Sequence, residues 1–189
     1  VLVNETPVVW RARALVEKWT DDEVAWVRTK TGDPNPGPDR LRRLIAPEVA
    51  ESDGNLLTTA GLTRLTALLT AAGGQGMTAT STRLGVGNGV TGAAIGDTDL
   101  SASSGSTNRW FMPMNATYPS AAAGVVTVQS TWASADGDFA WNEWGIDIAA
   151  PTVVAGATVG ACLLNHKSGA ALGTKSTGSW TLTGTITIA

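Results

Sequence analysis

Histidine and cysteine each occur once in this 189-residue sequence, as His166 and Cys162, and tyrosine occurs once, as Tyr118. One cysteine excludes an intramolecular disulfide framework and any all-cysteine metal cluster. One histidine leaves a single imidazole base for any Ser-His-Asp or Cys-His constellation. Cations are also scarce: 13 Lys and Arg stand against 16 Asp and Glu, for a formal net charge of −3. The basic footprint that dominates nucleic-acid affinity is missing, so no nucleic-acid partner is expected. No run approaches the roughly 18 to 20 apolar residues that a membrane helix requires, and no membrane partner is expected either. Val1 to Thr6 show neither the basic start nor the apolar run of a signal peptide, which gives the expectation of a soluble chain made in a cytoplasm.

Tryptophan and glycine are present in excess, with eight Trp against two Phe and one Tyr, and 22 Gly. Small residues favour closely packed β layers, and each indole buries on the order of 150 to 250 Å². The expected core is therefore studded with Trp. Charge divides the chain, because beyond about residue 75 the cations are Arg83, Arg109, Lys167 and Lys175.

Before that boundary, Val8 to Trp19 and Glu23 to Thr31 flank the turn-compatible pair Asp21-Asp22 and read as a hairpin packed by Trp10, Trp19 and Trp26. The same stretch also fits an amphipathic helix, since Val9, Ala12, Val16 and Trp19 lie at helical spacing. Gly32-Asp33-Pro34-Asn35-Pro36-Gly37-Pro38 follows as a linker or arm. A short helix over Asp39 to Ile45, capped by Asp39 and stopped by Pro47, is compatible with the next residues. The clearest helix runs from about Thr59 to Ala72, capped by Thr58 or Thr59, with Leu62, Leu65, Leu68 and Leu69 in one stripe and Gly73-Gly74 at its end.

From Met77 the apolar period changes to two. Val126, Val128 and Trp132 alternate with Thr127, Gln129 and Thr131; Trp144, Ile146 and Ile148 with Glu143 and Asp147; and Trp180, Leu182, Ile186 and Ile188 with Thr181, Thr183, Thr185 and Thr187. Each strand then has one buried and one wet face. Further strands near Arg83 to Val86, Asn108 to Met114 and Ala157 to Asn165 bring the count to about six. The expected fold is mainly β: an antiparallel, jelly-roll-like β-sandwich with one short α-helix and an extended N-terminal arm or hairpin. The expected organisation is an attachment arm over 1–53, a connecting helix over 54–76 and the sandwich over 77–189.

Residues with chemical potential read first as structural. His166 sits at a strand end, where a hydrogen-bonded structural role is the default, and Cys162 reads as a small buried hydrophobe. Asp136-Gly137-Asp138 reads as turn chemistry, and Glu143 and Asp147 as a polar strand face, before either reads as a glycosidase pair. Calcium ligation by Asp97 and Asp99, or by Asp136 and Asp138, lacks the D-x-D-x-D-G pattern with its distant Glu. Gly85-Val86-Gly87-Asn88-Gly89 has no helix pattern after it and reads as a turn rather than a phosphate loop. The sequons at Asn4 and Asn115 are discounted. The expectation is no enzyme, no metal and no cofactor.

Several blocks, in order, resemble virion proteins of tailed phages and prophages, especially those of actinobacteria. They are Gly54-Asn55-Leu56-Leu57, Arg83 to Gly89, Asp97-Thr98-Asp99-Leu100, Met114 to Pro119, Phe139 to Asp147, Leu163-Leu164-Asn165 and Leu172 to Lys175. The resemblance covers about residues 54–189 and brings no catalytic residues. It implies a capsid decoration or minor capsid protein on the virion surface. Such a protein would bind the major capsid protein at symmetry axes, most simply as a homo-oligomer, with a trimer favoured. Shell contact is expected from Trp10, Arg11, Arg13, Trp19, Arg40, Arg42 and Arg43. The alternative is a tail, neck or fibre component contacting host-surface glycans, with Trp141 or Trp110 as a sugar-stacking platform.

Overall fold

The computed structural model describes residues 9–148, 154–160 and 162–188. The Asn4 sequon, Val8 of the expected hairpin and Ala161 of an expected strand lie outside them. The chain forms a β-sandwich. Sheet A has the order β2-β1-β11-β7-β6, and sheet B the order β3-β10-β8-β4-β5-β9, with every pairing antiparallel. Sheet A comprises β1 (Trp10–Trp19), β2 (Glu48–Asp53), β6 (Ser120–Ala122), β7 (Val125–Trp132) and β11 (Ser179–Ile188). Sheet B comprises β3 (Leu56–Leu57), β4 (Thr82–Gly87), β5 (Arg109–Pro113), β8 (Glu143–Ile148), β9 (Val154–Ala155) and β10 (Leu163–Ser168).

The period-two patterns place the core. Val128, Trp132, Trp144, Ile146, Leu182 and Ile186 all turn inward between the sheets. Trp141 lies at the centre of an indole stack, with ring centroids 4.9 Å from Trp132 and 5.0 Å from Trp180, both edge-on.

Two of the expectations for the first 53 residues are corrected. Glu23 to Thr31 is not a strand but the body of α1 (Asp21–Thr31). Thr20 caps it: its hydroxyl accepts from Glu23 N, and the Glu23 carboxylate accepts from Thr20 N at 2.8 Å. This reciprocal capping box overrides any turn at Asp21-Asp22, and those acids sit favourably at the positive end of the helix dipole. Nor is the segment an extended arm in its strand portion. All ten residues of β1 pair with β11, so β1 is an interior strand of sheet A.

There are three helices among the described residues rather than one. α2 (Pro38–Leu44) has Gly37 at its N-cap, while Asp39 pairs with Arg42 instead of capping. α1 and α2 close over Trp19 through Val24, Val27 and Leu41, forming a small second core on the outer face of sheet A.

α3 (Thr59–Leu69) is capped by Thr58, as its sequence predicts. Its leucine stripe is not the buried one, however. Leu62, Leu68 and Leu69 are exposed, and contact with β10 is made through Gly61 and Leu65. A Cβ at Gly61 would lie inside contact distance of the Leu164 carbonyl, which is backbone and cannot rotate away. Gly61→Ala is expected to lower stability by about 1–3 kcal/mol, read from the urea midpoint, through overpacking.

Candidate functional site

β8 decides what the second face of sheet B can be. Its inward residues, Trp144, Ile146 and Ile148, behave as their period predicts. Glu143 and Asp147 do not lie on a wet face, for both are fully buried. The cause is non-local. The connection between β4 and β5, roughly residues 88–108, folds back over that face, and Leu100 packs on Phe111 and Leu163 there. Each polar group beneath it therefore needs a partner.

Glu143 accepts from Ser101 N (2.9 Å), Ser101 Oγ (2.7 Å), Ala102 N (2.8 Å) and His166 Nε2 (2.8 Å). The other ring nitrogen, His166 Nδ1, lies 2.6 Å from Asp97 Oδ2. A neutral imidazole carries one N–H, and an ionised carboxylate only accepts. Two carboxylates on one ring therefore require the imidazolium. Burial alone would lower the His166 pKa, but its bonds to Glu143 and Asp97 reverse this and raise it. Burial would likewise raise the Glu143 pKa; the donors from His166, Ser101 and Ala102 outweigh that and hold it at about 2.

The same loop supplies a second anchor, Asp99, which accepts from Arg109 at 2.6 Å and from Val159 N at 3.1 Å. Asp147 pairs with Arg83 and accepts from Gly160 N at 2.9 Å. Lys175, fully buried, reaches Asp138 at 2.8 Å and the Ser134 carbonyl at 3.1 Å. Of the Asp residues considered for calcium, Asp97, Asp99 and Asp138 thus pair with three separate cationic side chains, His166, Arg109 and Lys175. Ser101 Oγ donates to Glu143 and not to His166, so His166 has no ring nitrogen free to take its proton. The constellation works as a clamp that fastens a long loop to sheet B.

The seven residues expected to touch a shell fall into two groups at opposite ends of β1, about 30 Å apart at ~3.4 Å per residue. At one end, Trp10 is half-buried with its Nε1 donating to Asn55 Oδ1 at 2.8 Å. Arg11 is exposed there, and Arg13 is paired with Glu51. At the other end, Trp19 is 1% exposed beneath the helices, which leaves it no surface to offer. Arg42 forks onto Glu17, Arg40 pairs with Asp33 at 3.3 Å, and Arg43 is exposed. Trp26, expected to pack, is instead half exposed beside Leu44, with both on the outer surface of the helix layer. Trp141, weighed as a sugar platform, is fully buried, its Nε1 donating to the Gly137 carbonyl at 2.9 Å. Trp110 is half-buried on β5.

Comparisons with protein-family models, curated proteins and solved structures find no match. Function has to be read from the chemistry of the chain itself. That chemistry has two parts: a sheet B frame whose charged groups are consumed by one another, and an outward-facing set made of Arg11 at the start of β1 and Arg43 and Trp26 on the helix layer.

Proposed function

We propose that this chain is a non-enzymatic structural protein of a tailed-phage particle, a decoration or minor capsid protein that binds the major capsid protein and stabilises the shell. One observation carries this reading. Four of the sequence blocks that resemble virion proteins each supply members of the buried frame: β4 supplies Arg83, the covering loop Asp97 and Asp99, β8 Glu143 and Asp147, and the segment before β11 Lys175, with His166, Arg109 and Asp138 joining them from outside the blocks. Their polar groups are spent holding the fold together, which suits a rigid building block. Arg11, Arg43 and Trp26, which face outward, belong instead to the first 50 residues, where an adapter surface would sit.

Binding an assembled lattice and not its dissociated subunits stabilises the lattice by RT ln(1 + [L]/Kd). Repetition of the site over a symmetric shell adds avidity without new contacts. The deciding experiment is quantitative stoichiometry of purified particles before and after heads are separated from tails. Hundreds of copies retained by heads is the expected result, while a few to a few tens travelling with tails would replace this reading with the tail or fibre alternative. The double variant Arg11→Glu with Arg43→Glu should fold normally, since both side chains are exposed, and bind expanded heads at least about tenfold more weakly.

A further inference from the structure

A cleft of about 550 Å³ opens between the helix layer and the outer face of sheet A. Its size falls within the range of small-ligand sites. α1 and the proline-rich linker form one wall; the loops over residues 115–118 and 133–136 form the other, and β7 lies at the floor. From this cleft we infer a binding site for a neutral saccharide.

The floor is a set of amides and hydroxyls locked to one another. Asn115 Nδ2 donates to Gln129 Oε1 and to Thr131 Oγ1, each at 2.9 Å. Gln129, 4% exposed, donates on to Thr183 Oγ1 at 3.0 Å, and the Thr131 and Thr181 hydroxyls meet at 2.9 Å. Asn115 thereby spends both amide hydrogens inside the protein, and its Oδ1 stays fixed as an acceptor. On the walls, Asp21 accepts from Ser134 Oγ at 2.8 Å and Asp136 from Ala133 N at 3.1 Å, so each carboxylate is oriented with acceptor capacity to spare. Arg28 is exposed at the rim and supplies donors. Pro36, Pro38, Met112 and Tyr118 interpose apolar faces between these groups.

A pyranose has the matching surface. Its C–H face packs on rings such as Tyr118 and the prolines, and every hydroxyl on its rim both donates and accepts. Asp21 and Asp136, with Asp39 already paired to Arg42, outnumber the cation Arg28 at the cleft and disfavour phosphates and acidic sugars. A floor of hydrogen-bonded amides and threonines disfavours a purely apolar ligand. Because the floor side chains, Asp21 and Asp136 are held before any ligand arrives, little ordering entropy opposes binding at those groups. The inference does not depend on the virion reading: a saccharide site would stand whether the chain belongs to a head or a tail.

The test uses the full chain and a panel of neutral and acidic mono-, di- and trisaccharides, screened by saturation-transfer NMR and confirmed by calorimetry. Saturable binding of at least one neutral saccharide is expected, weakened about tenfold or more in both Tyr118→Ala and Arg28→Ala, with thermal unfolding unchanged in Arg28→Ala and cooperative unfolding retained in Tyr118→Ala, whose ring also packs on the main core. The inference is overturned if no neutral sugar binds saturably at millimolar concentration, or if binding survives both substitutions. A preference for acidic sugars would also overturn it, as would stronger binding of a Lys-rich peptide lost in Asp136→Asn.

Discussion

Replacing His166 with Gln is expected to destabilise the fold by about 3–5 kcal/mol near pH 6, the cost of breaking a buried charge pair by removing one partner. Against the roughly 5–15 kcal/mol that separates a folded domain from its unfolded chain, this is a large fraction. Glutamine brings two N–H donors on one atom in place of two on opposite sides of a ring. It cannot serve Glu143 and Asp97 together, and it brings no positive charge to two buried or half-buried carboxylates. Denaturant titration of both proteins checks the figure. A loss below about 1 kcal/mol would mean that the ring is neutral and the clamp ordinary.

The same cluster fixes a pH dependence whose two limbs have opposite signs. The folded-state pKa of His166 is raised above its unfolded value near 6.5, so its contribution is complete below that pH and is lost as pH rises through the raised value. Glu143 is held at about 2 in the folded protein against 4.5 unfolded, so its contribution is complete above 4.5 and is lost as pH falls towards 2. Both contributions coexist fully between about pH 4.5 and 6.5. The stability difference between wild type and His166→Gln should therefore be greatest in that window and narrow on the alkaline side. There the wild-type ring keeps one proton for two carboxylates, and one of its bonds to Asp97 or Glu143 must fail. Asp97 is the partner on the loop and is partly exposed, so hydrogen exchange on the alkaline side should quicken first across residues 88–108.

How much of this was legible in the sequence depended on distance along the chain. The inward faces of β7, β8 and β11 followed from period-two alternation, because which face a side chain takes is decided within the strand. α3 was bounded correctly near its cap for the same reason. α1 was also legible in principle: Thr20 and Glu23 spell a capping box, the first turn is acidic, the last turn holds Arg28 and Lys30, and Gly32 follows in the left-handed region at φ 70°. The Asp-Asp pair also satisfies a turn, and a hairpin built on it leaves no place for the helix. The burial of Glu143 and Asp147 had no local signal at all, since Glu143 lies under a loop some forty residues upstream and Asp147 meets Arg83 and the backbone of Gly160. Asp97, Glu143, Asp147 and His166 each stood out singly, yet nothing in their spacing joins them. The saccharide cleft was less legible still. Its walls come from α1, the linker and two loops, and of its members only Asp136 stood out for its chemistry.

Trp141→Ala should be as damaging as the loss of His166, by about 3–5 kcal/mol, through a different mechanism. The indole is fully buried and stacked edge-on between Trp132 and Trp180, and both neighbours belong to sheet A strands, β7 and β11. Its removal leaves a cavity that neither strand can readily close, because β7 and β11 are fixed in register by the ladder between them and β11 also by its ladder to β1. It also strands the Gly137 carbonyl that Nε1 satisfies at 2.9 Å. Trp26→Ala is the matched control: at 50% exposure it should change stability by less than about 0.5 kcal/mol while remaining available as an anchor for a partner. Near-UV circular dichroism distinguishes the two, with the coupled indole signal collapsing in Trp141→Ala and persisting in Trp26→Ala. Equal losses of stability in both variants would contradict the division of labour drawn here, in which the indoles between the sheets hold the fold and the indole on α1 faces outward.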